Sequence, residues 1–476
     1  MGILEIFGFV SHIFLVLALG FYLITNMQWY GYKIERVILH HKKIIWHIVF
    51  FVIPFFAYFL TNEYFWIYFY FAQIPFLLAW NSKVDKKLVF TARVKRFFAI
   101  LIFATVFQDS LCFLSESCSI YGVFFPLFFS SVASELIERV LMAGFKREAK
   151  RKIESLKDLK IIAITASYGK TSIKNYLAQT LSKKYRVYST PRSVNTLSGI
   201  IKDINENLDT TENIYIVEAG ARLKGDIKEI VDFLEPEYVI VGSVGEQHIE
   251  YFKTLDNIID TKLEILQSKR LKKAFVHDAL KERVLSDKAS FYAEPKEIEA
   301  DLNSLRFTFE DIAYESKILG SFNALNLASV ILVAKEFGFE IDEIQRAISN
   351  LKPVEHRLLK IESNNKTILD DSFNGNLKGM LEAIKLSKTY SGRRVIITPG
   401  IVESDEASNI KLAEAIDEVF DIIIITGALN RDLLSKNIHK TRKLFLQDKS
   451  KMQDILKEHT KEQDLILFAN DAPSYI

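Results

Sequence analysis

The chain has 476 residues, enough for about three structural units, and its 61 basic and 59 acidic residues nearly cancel. That balance produces no polyelectrolyte field and excludes nucleic acid as an expected partner. An aromatic fraction of 13% is high for a soluble enzyme, and all four tryptophans, Trp29, Trp46, Trp66 and Trp80, lie at one end. Both cysteines, Cys112 and Cys118, fall in the same region, so the later chain suits a reducing compartment.

Four long apolar runs come first, at 6–24, 44–60, 65–80 and 97–114, followed by a shorter fifth at 120–132 carrying Gly122 and Pro126. Each of the first four approaches the roughly 20 residues that cross a hydrocarbon core. No lysine or arginine precedes Lys33, so the first run lacks the basic start of a cleavable signal. Basic residues then alternate between connectors. Lys33, Arg36, Lys42 and Lys43 follow the first run; Lys83, Lys86, Lys87, Arg93, Lys95 and Arg96 follow the third. Arg139, Lys146, Arg147, Lys150, Arg151 and Lys152 follow the fifth, whereas 61–63 and 115–119 contain none. By the positive-inside rule this predicts an α-helical multi-pass membrane region over 1–135 with four to five transmembrane helices, the N-terminus outside and the remainder cytoplasmic. The charged stretch 136–158 has apolar residues at Leu136, Val140, Leu141 and Phe145. It is predicted as a juxtamembrane helix whose basic residues lie near anionic membrane lipids. The runs are poor in paired charges, which together with the lack of an ABC-type signature argues against a transporter ATPase.

From Leu159 the texture changes to short β-rich runs alternating with helical patterns, as in a parallel sheet flanked by helices. "KIIAIT" is a buried strand by composition, and Ile173, Tyr176, Leu177 and Leu181 recur at helical spacing after "TASYGKTSIKN". A Gly-Lys-Thr turn between strand and helix is the context in which backbone amides and the helix dipole attract phosphate oxygens. Ser167, Gly169, Lys170, Thr171 and Ser172 are therefore candidate ATP contacts, Lys170 neutralising the distal phosphates and the Thr171 hydroxyl reaching Mg²⁺. Ala166 stands where a phosphate loop usually has its first glycine. Further on, Glu218 ends the strand in "NIYIVEAG", His248 follows the strand in "EYVIVGSVGEQHIEYF", and Lys262 lies on the helical "NIIDTKLEIL". Ligands gather outside the carboxyl ends of parallel strands, so the loop, Glu218 and His248 are expected to converge there. With Thr171 they form the predicted metal set, although Mg²⁺ prefers oxygen and keeps waters. Singly, Glu218 could equally cap a turn, His248 begin a helix and Lys262 face solvent.

Read in order, GKTS (169–172), SVNTLSG (193–199), EAGARLKGDI (218–227), GEQHIEYF (245–252), TKLEI (261–265), GSFNALN (320–326), EHR (355–357) and DDSFNGN (370–376) form one pattern. It resembles the Mur ligases, the ATP-dependent amide ligases of bacterial peptidoglycan precursor synthesis, and within them the D-alanyl-D-alanine-adding branch. The likeness covers roughly 160 to 400.

The resemblance implies a P-loop, parallel-sheet central ATP-binding domain over 159–353 and a dinucleotide-type α/β C-terminal domain over 354–476. The implied reaction phosphorylates the carboxylate of UDP-MurNAc-tripeptide, and the amine of D-Ala-D-Ala then displaces phosphate from the acyl phosphate. It implies ATP and Mg²⁺ as cofactors, Lys170, Lys262, His248 and Arg357 as catalytic residues, and Thr171, Glu218 and His248 around the metal. It further implies Asn323, Asn326, Asp371 and Phe373 around the nucleotide, Asn195 and Thr196 facing the muramyl substrate, and carbamylation of Lys262. A location at the bacterial inner membrane beside membrane-stage cell-wall enzymes follows from the apolar half together with this pathway. Departures are plain. Phe373 replaces a tyrosine, "PGIVESDE" and "FANDAPSYI" differ from the family's C-terminal motifs, and apolar runs stand where relatives carry a soluble uridine-binding domain. Two alternatives remain: a related ligase acting on a lipid-linked muropeptide or another acid, and a membrane scaffold with a degenerate nucleotide domain.

Overall fold

The computed structural model describes residues 3–32, 37–38, 44–60, 64–84, 87–115, 122–246, 252–373, 375–402 and 404–471. His248, Cys118 and the connector residues Lys33, Arg36, Lys42, Lys43 and Lys86 lie outside them. The chain divides into two compact units, Met1–Phe145 and Lys146–Ile476.

The first unit is helical. Helices Ile3–Trp29 and Ala92–Ser115 pack through Leu15, Val16 and Leu19 against Val94, Phe97 and Leu101. Gly20 permits that approach, because a Cβ there would meet the Leu101 side chain at 2.4 Å. Among the described residues two helices, with apolar spans Ile6–Trp29 and Ala92–Leu114, are long and apolar enough to cross a membrane; Ile45–Leu60 is a shorter apolar helix. Four to five separate spans are therefore more than the described helices support by length and composition. The fifth apolar run and the charged stretch after it also prove to be one continuous helix, Phe124–Ser155. No proline or glycine interrupts it beyond Pro126 in its first turn and Gly144, so nothing in the backbone divides apolar from charged residues. Arg93 pairs with Glu135 at 2.9 Å and Arg96 with Glu138, so part of the basic excess expected at this end is neutralised. Within the apolar runs His12 Nδ1 lies 2.9 Å from Asp109 Oδ2, both residues buried, a pairing that spacing could not reveal.

In the second unit, alternation along each strand feeds two layers of helices. Strands Lys160–Thr165 (β1), Val187–Ser189 (β2), Ile214–Glu218 (β3), Tyr238–Val241 (β4), Lys273–His277 (β5) and Ala289–Tyr292 (β6) form a sheet in the order β2-β3-β1-β4-β5-β6. All its pairings are parallel. Ile162 and Ile164 of β1 face the helices Lys170–Leu181 and Phe322–Glu336, while Ile161 and Ala163 face Leu197–Asn207 and Asp226–Leu234. That is the period-two division of a strand buried on both faces. The chain leaves β1 towards β3 and β2 on one side and later returns to add β4 on the other. The carboxyl end of β1 is thus the point where strand order reverses, where such sheets open a crevice.

Two further sheets follow. Lys296–Ala300 (β7), Leu305–Phe309 (β8) and Ile312–Ser316 (β9) form a small antiparallel sheet. Leu359–Ser363 (β10), Lys366–Asp371 (β11), Arg394–Thr398 (β12), Ile422–Thr426 (β13), Arg442–Leu446 (β14) and Leu465–Ala469 (β15) form the last, in the order β10-β11-β15-β12-β13-β14. It is parallel apart from the β10–β11 hairpin.

Ile216, fully buried in β3, carries the strand that ends at Glu218. Ile216→Ala should lower the stability of this unit by about 2–5 kcal/mol, read by urea unfolding of the detergent-solubilised full chain with far-UV circular dichroism. Tryptophan fluorescence should stay unchanged at denaturant concentrations where the variant's second unit has melted, because every tryptophan lies in the first unit.

Candidate active site

The loop after β1 is built to leave backbone amides free. Gly169, the N-cap of the helix Lys170–Leu181, has φ +82 and offers no side-chain cap, so the first amides of that helix are open to an anion. A Cβ at Gly169 would meet Asn326 Oδ1 at 2.3 Å, which makes glycine necessary there for space as well as for backbone. Ala166, the departure from the usual loop, is fully buried and packs near Gly242, so it lines the loop's inner wall. Ser167 ties the loop down. Its amide donates to Ser243 O, and its hydroxyl donates to Gly245 O and accepts from Gly245 N.

Lys170 folds back over the loop, its Nζ donating to Ala166 O at 2.6 Å and Ser167 O at 3.1 Å. Burial, offset in part by Glu218 and reinforced by Arg357, pulls its pKa down to about 8. Glu218 lies at the end of β3, 1% exposed. Its Oε2 accepts from the Thr171 hydroxyl at 3.2 Å, and Lys174 Nζ stands 3.0 Å from Oε1. The angles of that ion pair do not make a hydrogen bond, so Oε1 keeps its lone pairs. Lys262 is 3% exposed, on the helix Leu255–Leu263, and burial followed by repulsion from Lys170 holds its pKa well below the lysine range.

Arg357 reaches the same place from beyond the central sheet. Burial lowers its pKa, while Asp371, Glu218 and Tyr176 pull it the other way. Its guanidinium lies 4.5 Å over the Phe373 ring and donates to Phe373 O at 3.2 Å. Burial raises the Asp371 pKa to about 6, against Arg357 and the Leu358 amide, which both favour its charge. The basic groups Lys170, Lys174, Lys262 and Arg357 thus outnumber the carboxylates Glu218 and Asp371. Crowded, half-dry ammonium groups lose proton affinity, and a polyanion is what would relieve them.

Of the residues singled out from sequence, Lys170, Thr171, Glu218, Lys262, Arg357 and Asp371 therefore share one electrostatic neighbourhood. Asn326 abuts Gly169 and donates to Asn323 Oδ1 at 2.8 Å; Asn323 in turn donates to Leu319 O, so it braces its neighbour. Ser172 is buried in the helix, and Phe373 is exposed over Arg357. Asn195 packs on Gly220 and accepts its amide at 2.9 Å, and Thr196 caps the helix Leu197–Asn207. His248 lies outside the described residues.

Among the described residues no group of three His, Cys, Asp or Glu side chains could hold a metal alone. Glu218 and the Thr171 hydroxyl do supply adjacent oxygen donors, the type and number that suit Mg²⁺ when phosphate and water complete its shell. Lys174 was missed from sequence. The signal was its place on the stripe 170, 174, 177, 181, where a lysine among apolar residues needs a buried partner.

Residues 164–334 match the Mur ligase middle domain. The UDP-N-acetylmuramoyl-tripeptide--D-alanyl-D-alanine ligase of Bacillus subtilis (strain 168) is 24% identical over 332 residues, covering 65% of this chain and 72% of that protein. Its counterpart in Escherichia coli (strain K12) is 25% identical over 279 residues, covering 54% and 62%. The fold is similar to the MurF ligase from Thermotoga maritima in complex with ADP, with a TM-score of 0.60 and 22% identity over 69% of this chain and 80% of that one. The chain thus spans about two thirds of the length of these curated relatives.

Two measurements test the site. Gly169→Ala should weaken binding of ADP with Mg²⁺ at least about tenfold, since the left-handed backbone alone costs an alanine about 1–2 kcal/mol; calorimetry reads it directly. Because the folded pKa of Lys170 is depressed, its charge opposes folding below about pH 8, and that penalty fades as pH rises from about 8 towards 10.5. A bound phosphate restores the charge. Nucleotide binding at pH 8 should therefore take up protons, seen as a buffer-dependent heat, and Lys170→Arg should abolish the uptake.

Proposed function

We propose, from its similarity to the Mur ligases, that this chain is an ATP-dependent carbon–nitrogen ligase that joins D-Ala-D-Ala to UDP-MurNAc-tripeptide through an acyl phosphate. The observation that carries this reading is the convergence of an uncapped phosphate loop with Glu218, Lys262, Arg357 and Asp371 at the reversal point of a parallel sheet. A regulatory or scaffolding domain has no need of that set.

In this reading the Gly169–Ser172 amides and Lys170 grip the distal phosphates, with Ser167 holding the loop. Thr171 and Glu218, with His248, would hold Mg²⁺, which would supply charge stabilisation for the transferred phosphoryl group. Arg357, carried beyond the central sheet, neutralises the same group, while Asp371, Asn323, Asn326 and Phe373 surround the nucleoside. Asn195 and Thr196 face the acid substrate. Lys262 is buried, and its ammonium is disfavoured, so it offers the neutral amine that carbamylation by CO₂ requires. Residues 159–353 then act as the ATP-binding domain and 354–476 as the domain that brings Arg357 and Asp371 to it, closure completing the site.

The first unit is proposed as a multi-pass membrane anchor with its N-terminus outside and the ligase unit in the cytoplasm. Supporting this are the two long apolar helices and the many large apolar side chains left outward-facing, such as Phe71, Phe103 and Leu114. An anchored ligase would sit among membrane lipids close to the membrane-stage cell-wall enzymes that use its product, raising local concentration for handover.

The apolar helices favour one second reading, a ligase whose acid acceptor is a lipid-linked muropeptide. Phosphate release by the full chain with ATP and Mg²⁺ separates them. Release that requires both UDP-MurNAc-tripeptide and D-Ala-D-Ala supports the first; release only with the lipid-linked acceptor supports the second.

A further inference from the structure

Lys174 is the least exposed lysine in the second unit, 1% exposed, and the functional reading above leaves it without a role. Its ammonium stands 3.0 Å from Glu218 Oε1 and donates to the carbonyls of Thr190 and Arg192. Its ammonium thus has three oxygens around it, two on the 190–192 segment by hydrogen bonds and one on β3 by charge. The helix Lys170–Leu181 carries it one turn beyond Lys170, so whatever moves that helix moves this contact. Glu218 is held from the same helix a second time, through the Thr171 hydroxyl on its other oxygen. On the opposite side, the 190–192 segment contains Arg192 at φ +45 and a turn closed by Val194 N on Pro191 O. It leads directly to Asn195, whose carbonyl accepts the Gly220 amide two residues past Glu218.

We propose that Lys174 is a positioning residue that sets both sides of the reaction centre at once: the orientation of Glu218 towards its metal, and the path of the 190–196 loop that faces the acid substrate. The inference rests on the ligase reading and deepens it, since it names the group that couples nucleotide grip to acceptor placement. A neutral side chain of equal length would leave Glu218 buried without a cation and two carbonyls without donors. The carboxylate would then turn towards other donors, and the loop would lose its anchor. Arginine keeps the charge but presents a planar fork to three acceptors arranged around a point. It should spare the fold while misplacing Glu218.

The test uses the full chain and the variants Lys174→Arg, Lys174→Met and the paired Lys174→Met/Glu218→Gln, with Leu177→Ala as a control that damages the same helix by a cavity alone. Leu177 is fully buried and has no polar partner to lose. Titrating Mg²⁺ at saturating ATP and titrating the acid substrate separately should show both half-saturation points raised in Lys174→Arg, each by about ten- to a hundredfold, the range for partners that orient metal ligands. Leu177→Ala should melt earlier with both half-saturation points within about twofold of wild type. If Lys174→Met alone fails to fold, Lys174→Met/Glu218→Gln, which removes the uncompensated charge, keeps the question open to binding of ADP with and without Mg²⁺: expected is loss of the Mg²⁺-dependent gain. A Lys174→Arg protein with wild-type dependence on Mg²⁺ and on the acid overturns the proposal. A wild-type chain that releases no phosphate with any acceptor overturns the ligase reading instead, and the ADP arm then still judges the Glu218 half of the inference.

Discussion

A carboxylate buried at the end of a strand must find a cation, because an unpaired buried charge costs several kcal/mol. Glu218 meets that demand with Lys174, and much of the site's geometry follows from the pairing. The helix after the phosphate loop has to lie where its second turn can deliver an ammonium to β3. That placement in turn brings Thr171 to the other carboxylate oxygen and leaves the loop amides of Gly169–Ser172 at the carboxyl edge of the sheet. Since β1 lies between β3 and β4, this edge is also the point where the strand order reverses and a crevice opens.

The second constraint is an imbalance that the protein alone does not resolve. Lys170, Lys262 and Arg357 all lose proton affinity through burial, and Lys170 is pushed further by Arg357, as Lys262 is by Lys170. Such a cluster is unfavourable in the ligand-free chain and favourable around a triphosphate, so folding energy is held in reserve for binding. Arg357 and Asp371 arrive from a segment that bends sharply. His356 at φ +60 and Leu358 at φ +54 flank Arg357, and the bend is braced by His356 Nδ1 on Asp370 Oδ2 at 2.8 Å and by the Ser372 hydroxyl donating to Asp370. Two left-handed residues around one arginine are costly for side chains of that size. They persist here because a buried carboxylate, itself a neighbour of Asp371, holds the turn.

Much of the central sheet was legible from composition, because strands buried on both faces read as unbroken β-branched runs: "KIIAIT" is β1 from end to end. The phosphate loop was legible for a different reason, since Gly-Lys-Thr between strand and helix has few other physical uses. The small antiparallel sheet β7–β9 was not, because "KEIEA" and "IAYES" mix charge with apolar residues and give little strand signal. The apolar half was legible as apolar helices but overdivided. Periodicity finds where a run of apolar residues ends, and it does not see that the helix Phe124–Ser155 continues through the change to charged residues.

By itself the sequence determined which strands bury, where a phosphate loop lies between strand and helix, and which side chains can bind phosphate and metal, because these depend on local chemistry and short spacing. Tertiary structure alone decided that Lys174 belongs to Glu218, that His12 meets Asp109, and that Arg357 and Asp371 lie in the electrostatic neighbourhood of Lys170. Pairings of buried charges are settled by which groups the sheet order and helix packing bring within a few ångströms, and residues tens or hundreds of positions apart carry no local mark of that proximity.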